Sequence, residues 1–256
     1  MMCLIAFAYQ VHPLYELILI GNRDEFHARP SDALHAHVDA PGVYGGRDAQ
    51  AGGGWLLVHA AGRLVTVTNV RHGSPEQAKR SRGQLVKGLI TDTRPAAALH
   101  AISDAEAKRF GRFNALAFDR DGLSYLRNFP EVSRERLGPG VYGLSNGALN
   151  TPWPKVARTR SALEAWLDRG DADPTALLDI LKHQQQFADA ELPDTGVGLE
   201  WERLLSSPFI VGEHYGTRAS SLVLVGRDQI RFIEQSFGPN ATPLGQRELL
   251  IAREPA

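Results

Sequence analysis

The chain has 256 residues, 43% hydrophobic and 22% charged, and its 28 lysines and arginines nearly balance 29 aspartates and glutamates for a net charge of −1. That balance excludes the electrostatic footprint of a nucleic-acid or anionic-membrane binder, and no apolar run reaches the roughly 18–20 residues of a membrane-spanning helix. The single cysteine excludes an internal disulfide and a thiolate zinc site. No basic segment precedes the first apolar run as it would in a secretory signal. A soluble, cytoplasmic chain is therefore expected, folded as one domain over residues 1–256.

In chain order, residues 1–8 and 17–25 are apolar runs that read as neighbouring antiparallel strands, with their turn in Gln10-Val11-His12-Pro13. Trp55-Leu56-Leu57-Val58 and the run from Arg63 to Val70 form a second hairpin through Ala60-Ala61-Gly62. Gly52-Gly53-Gly54 permits close backbone approach by a strand or a ligand, but it lacks the Lys-Ser/Thr ending of a P-loop. From Pro75 to about Ile102 the pattern is helical, with Leu85, Val86, Leu89 and Ile90 at helical spacing and a second helix opening at Pro95. Strands return at 114–118 and 123–126, about the turn Asp121-Gly122, and at 141–146. Amphipathic helices are expected over 155–167 and 174–187, a loop over 188–199, and closing strands at 208–211, 220–225 and 229–233. This order is not a strict β-α alternation. It predicts hairpin-rich sheets with helices gathered on their outer faces.

The first hairpin brings Asn22-Arg23-Asp24-Glu25 back beside Cys3. A lone buried cysteine is ordinarily a small apolar filler; at the head of a chain it has a second use. An amino-terminal cysteine carries an α-amine of pKa about 7.7–8, which takes the thiol proton, and a neighbouring Arg23 favours the thiolate. That use requires removal of Met1 and Met2, and Met1 is expected to stay unless synthesis starts at Met2. Strand alternation sets Asn22 and Asp24 on one face, Arg23 and Glu25 on the other, unless the strand ends or bulges there. Asn69, Asn146 and Arg218 fall at strand ends, where amide N–H groups and a guanidinium can stabilise an oxyanion; Asn146-Gly147 is also an ordinary turn signal. His35 and His37 can share a strand face, but no third ligand is evident, so no metal site is expected. No Gly-x-Ser-x-Gly elbow is present.

Cys3-Leu-Ile-Ala-Phe, Gly21-Asn-Arg-Asp-Glu-Phe, Arg29-Pro30, Gly52-Gly-Gly-Trp55, Thr68-Asn69, Ser81-Arg-Gly83, Gly143-Leu-Ser-Asn146, Thr151-Pro-Trp-Pro-Lys155 and Tyr215-Gly-Thr-Arg218 together resemble the NRDE family, also called transport and Golgi organisation 2 (TANGO2). Gly54 departs from the pattern, where many relatives have threonine. The resemblance implies an α+β fold: a four-layer αββα sandwich of two mainly antiparallel sheets, similar to the N-terminal nucleophile (Ntn) hydrolases. It also implies kinship with the cysteine amidases of the choloylglycine hydrolase and penicillin acylase group. By that likeness Cys3, Arg23, Asp24, Asn146 and Arg218 are the catalytic candidates, with Asn22, Asn69 and Arg71 on the substrate or oxyanion side. Arg23 and Asp24 are adjacent here, whereas the amidases separate theirs. Two functions are implied. One is a cofactor-free amidohydrolase acting on a non-peptide C–N amide bond of a small molecule, with Cys3 as nucleophile. The other is a non-catalytic carrier of haem, acyl-CoA or lipid, in which Arg23, Arg71 and Arg218 pair with propionates or phosphates and Cys3 or a histidine ligates iron.

Overall fold

A computed structural model describes residues 2–73, 78–170 and 173–254, so the expected helical start at Pro75 lies outside the described residues. The first hairpin is β1 (Met2–Tyr9) and β2 (Tyr15–Phe26), antiparallel with Tyr9 opposite Leu17. Then follow β3 (Ser31–Ala36), β4 (Val43–Asp48), β5 (Leu56–His59), β6 (Arg63–Asn69), α1 (Arg82–Ile90), α2 (Pro95–Ala101) and α3 (Asp104–Ala107). Next are β7 (Phe113–Asp119), β8 (Gly122–Arg127), β9 (Ser133–Leu137), β10 (Gly140–Leu144), α4 (Pro154–Arg169) and α5 (Leu177–Ile180). The chain closes with α6 (Leu199–Leu204), β11 (Tyr215–Gly226), β12 (Gln229–Phe237) and β13 (Pro243–Ala252).

Pairing gives one sheet in the order β10-β1-β2-β11-β12-β13 and another in the order β3-β4-β5-β6-β7-β8-β9. Strand periodicity then builds the layers. Ile5, Phe7, Leu17 and Leu19 turn inward onto Leu56, Leu64, Leu116 and Phe118 of the second sheet. Their alternates Ala6, Ala8, Ile18 and Ile20 turn outward under Leu163 and Trp166 of α4 and Leu177 and Leu178 of α5. On the far side Val65, Val67, Ala115 and Ala117 pack under Leu85, Val86, Leu89 and Leu99 of α1 and α2. Each fully buried aliphatic side chain contributes about 1.5–3 kcal/mol. The result is the αββα sandwich. The two sheets are not fully separate: β1 pairs with β10 from Ile5 to Tyr9, but Met2 makes a parallel bridge to Thr68 of β6. The amino-terminal end of β1 therefore stitches the sheets together where they part.

Several elements differ from expectation. Only the start of the 174–187 segment is helical, because the Leu181 and His183 carbonyls accept from Asn22 and Phe209 instead of from a following helical turn. Residues 208–211 are buried at Phe209 and Ile210 but do not form a strand; Ile210 N donates to the Thr217 hydroxyl. Strand β13 gave no alternation to read, being almost wholly exposed on the sheet edge. The glycine run meets a strand, as expected, and also a helix: a Cβ on Gly54 would lie 2.6 Å from Leu57 Cγ of β5, and one on Gly53 would lie 2.4 Å from the Gly83 carbonyl carbon at the start of α1. Among the described residues no helix is long and apolar enough to cross a membrane.

Candidate active site

Cys3 lies at a β-bulge. Met2 pairs with Arg23 and Leu4 with Asn22, so Cys3 is the extra residue of β1. A second irregularity faces it across β2, where Thr217 pairs with Asp24 and Ala219 with Arg23, leaving Arg218 out of register. Bulges re-aim side chains and recur beside functional sites; here one on each side of Arg23-Asp24 frees Cys3 and Arg218 from the regular pleat.

Cys3 is buried, and its thiol donates to the Asp24 carbonyl at 3.4 Å. The Ser145 hydroxyl, just past β10, donates to the Cys3 carbonyl and fixes the bulge. Asp24 is also buried; its Oδ1 accepts from the Thr217 hydroxyl at 2.7 Å, while its Oδ2 has no hydrogen-bond partner. Lys155, in the first turn of α4, enters the same cluster and donates to the Leu205 carbonyl at 2.8 Å. The Tyr215 hydroxyl hydrogen-bonds Cys3, and its ring stands edge-on to Phe26 and Trp201.

Burial dominates the electrostatics of this cluster. It pushes the Cys3 thiol above its usual range, and the Asp24 charge adds to the rise. Burial likewise raises Asp24, opposed by Lys155 and by the Thr217 hydrogen bond. Lys155 is pulled down to about 8 by burial, with Asp24 holding its proton on. An amine with that pKa exchanges protons readily near neutral pH, as a general acid–base group must.

Cys3 opens onto a cavity of about 540 Å³ whose lining includes Asn69, Arg71, Asn146, Trp201, Leu205 and Tyr215. Asn146 donates to the Asn69 carbonyl at 3.1 Å, and Arg71 N donates to the Asn146 carbonyl at 2.8 Å, so the ends of β6 and β10 are laced together. Arg71 pairs with buried Glu202 of α6 at 2.7 Å and lies over the Trp153 ring. Glu202 accepts from Thr195 N at 2.8 Å and from the Thr195 hydroxyl, which ties the segment leading into the Gly196 and Val197 wall of the cavity to α6.

Of the residues singled out from the sequence, Cys3, Asp24, Asn69, Arg71 and Asn146 are brought together. Asn22, Arg23 and Arg218 are not. Asn22 faces the helical layer beside Asp24, donating to the Leu181 and Pro208 carbonyls at 3.0 and 2.7 Å and accepting from the Ser220 hydroxyl. It is a tether between sheet and loop, with both amide hydrogens engaged. Replacing it with leucine leaves two buried carbonyls without a donor and is expected to lower stability by about 2 kcal/mol or more, read as a urea midpoint shift. Arg23 faces between the sheets, its guanidinium 4.2 Å over Trp55. Arg218 clamps the turn after β2, donating to the Phe26 and Arg29 carbonyls at 3.1 and 3.0 Å. Both line a different cavity from Cys3.

The sequence reading missed Lys155, Glu202 and Tyr215. Lys155 had a signal: a lysine directly after the helix-opening Pro154 sits at the positive end of the helix dipole, where acidic residues are favoured. Tyr215 opens the Tyr215-Gly-Thr-Arg218 motif, of which only Arg218 was singled out. Glu202 had no signal, because long-range packing alone brings it to the site.

Comparison with known proteins accords with the αββα fold. The conjugated bile acid hydrolase of Clostridium perfringens, solved as a mutant, superposes with a TM-score of 0.54 over 98% of this chain and 92% of that one, at 8% identity. A Caenorhabditis elegans N-acylethanolamine-hydrolyzing acid amidase ortholog gives 0.51 over 88% and 94%, at 10% identity. At that identity they establish a shared Ntn-hydrolase-like fold. The Transport and Golgi organization protein 2 homologs of Bos taurus and Homo sapiens are each 32% identical over 92% of this chain and 93% of their own length. The Transport and Golgi organisation 2 family matches residues 2–239. The chain belongs to the Transport and Golgi organisation 2 family.

Proposed function

We propose that the chain is a cysteine amidohydrolase acting on a non-peptide C–N amide bond, with Cys3 as nucleophile. The observation that carries this reading is the cluster itself: a bulged thiol facing the cavity, a buried amine and carboxylate behind it, and two asparagines across from it. The two structural neighbours are named as an acid amidase and a hydrolase, which supports the same reaction class.

The Cys3 sulfur attacks the amide carbonyl carbon, and its proton passes to the neutral amine of Lys155. Asn69 and Asn146 stabilise the oxyanion. Lys155 then returns the proton to the leaving nitrogen as the C–N bond breaks, giving a thioester on Cys3 and a free amine. Water adds to the thioester with Lys155 again taking the proton; the C–S bond breaks, the thiol is re-protonated and a carboxylate leaves. While Met2 remains attached Cys3 has no α-amine, and Lys155 supplies the amine that an amino-terminal cysteine would otherwise provide. Asp24 supports the ammonium form of Lys155, and Arg71 receives the polar end of the substrate.

Intact-mass spectrometry during incubation with a panel of N-acyl amides tests the reaction. A mass gain equal to the acyl group is expected on the wild type and none on Cys3→Ala. No acylation by any amide, or acylation of Cys3→Ala as well, overturns the reading. The same spectrum shows whether Met1 and Met2 are retained.

One observation favours a second reading, a carrier of an anionic amphipath such as haem or acyl-CoA. The described residues that line the cavity include Arg71, Arg82 and Arg112 beside Phe26, Val70 and Trp201, and none of those described is a carboxylate. Haemin titration discriminates: a Soret shift lost in Cys3→Ala supports iron ligation, and an unchanged Soret band removes haem as a ligand.

A further inference from the structure

Behind the strand that carries Asp24 lies a separate cavity of about 220 Å³ between the two sheets, walled in part by Arg23, Trp55, Arg218, Glu234 and Arg247. Neither Cys3, Asn69 nor Asn146 lines it. Arg23 is 1% exposed. Its Nη1 reaches the Ser31 hydroxyl at 3.4 Å, and the Glu25 carboxylate stands 4.0 Å from Nη2, beyond hydrogen-bond distance. Its Nε and Nη2 have no hydrogen-bond partner in the protein. Those two nitrogens share one edge of the guanidinium, and their parallel N–H bonds match the two oxygens of a carboxylate.

Glu234 on β12 is equally buried and lines the same cavity. Its Oε1 accepts from Leu34 N at 2.7 Å, and its Oε2 has no partner. Burial raises its carboxyl to about 7 against the pull of Arg23 and Arg247. Near neutral pH a substantial fraction is thus protonated and able to donate. The other charged groups on this wall are Arg218 from β11, Arg247 from β13 and Asp32 from β3. Two guanidiniums, Arg23 and Arg218, share the Ser31 hydroxyl at 3.4 Å each, so the Arg23 side of the cavity is locally cationic.

We propose that this cavity binds a small carboxylate, held side-on by Nε and Nη2 of Arg23 and capped by Oε2 of Glu234. The volume of about 220 Å³ suits a short-chain acid. A doubly charged phosphate suits it less well, because a second negative charge would face Asp32.

Isothermal titration with propionate tests the site. One propionate per chain is expected at pH 6, with affinity about tenfold weaker at pH 8 as Glu234 loses its proton. Arg23→Gln removes both charge-assisted bonds and is expected to weaken binding about a hundredfold, while Cys3→Ala, in the other cavity, leaves it unchanged. Glu234→Gln keeps a donor without the charge, so its affinity is expected to be the same at pH 8 as at pH 6; this arm stands even if Arg23→Gln fails to fold. The proposal is overturned by absence of binding at pH 6, by pH-independent affinity in the wild type, by full affinity in folded Arg23→Gln, or by inorganic phosphate displacing propionate at equal concentration.

Discussion

Methionine in place of Lys155 is expected to lower the unfolding free energy by ~3–5 kcal/mol and to slow alkylation of Cys3. The Lys155 side chain is 2% exposed and is the leading counter-charge to Asp24, whose Oδ2 has no hydrogen-bond partner. Removing one member of a buried pair leaves the other charge uncompensated, which is where a loss of that size originates. Lys155 also favours the thiolate of Cys3, so its removal raises the thiol further and leaves less of it reactive at a given pH. The sign of the pH effect follows from the depressed amine. Between about 8 and the unperturbed 10.5 the unfolded chain holds a proton that the native chain has released, so this group raises stability with pH across that window. Lys155→Met should lack that rise. Urea titrations at pH 7 and 9.5, with iodoacetamide kinetics on the same samples, measure both effects. Wild-type stability and labelling rate in Lys155→Met would remove the amine from the mechanism.

A second loss of comparable size is expected for Glu202→Leu. Glu202 holds Arg71 at 2.7 Å and accepts two hydrogen bonds from Thr195, all in buried surroundings. Without it the Arg71 cation is stranded, at a cost of ~3–5 kcal/mol, and the wall at Gly196 and Val197 loses its tether to α6. The urea midpoint should fall, and limited proteolysis should cut between Asp194 and Leu199 sooner than in the wild type. The double change Arg71→Met with Glu202→Leu is expected to recover much of the stability, because it removes both charges together. A single variant as stable as the double would contradict the pairing.

The sequence made the first hairpin legible because two apolar runs flank a short polar turn, and pairing them is enough to bring Asp24 to Cys3. Alternation along β2 also showed that Arg23 and Asp24 must part company in a regular strand. Which of them would face Cys3 was not readable, since that depends on a bulge in β1 rather than in β2 itself. Arg218 was read as a strand-end residue, whereas it lies inside β11 at an irregularity set by pairing with β2. Asn22 belongs to the same polar cluster, but its partners Leu181 and Pro208 are more than 150 residues away, and no local pattern announces them. Helix α6 received no assignment beyond its first residue, because Leu-Glu-Trp-Glu-Arg-Leu is too short to show a period, yet it delivers Glu202. Local rules thus yielded most of the strands and singled out Cys3, while the charge partners came from contacts between distant segments.

The parallel bridge between Met2 and Thr68 has a consequence for processing. The backbone of Met2 pairs with Arg23 on one side and Thr68 on the other. A cleavage that exposed the amine of Cys3 would therefore remove a rung shared by both sheets at the mouth of the site. Maturation and opening would then be one event: the cut that supplies a base also unfastens the seam beside the thiol.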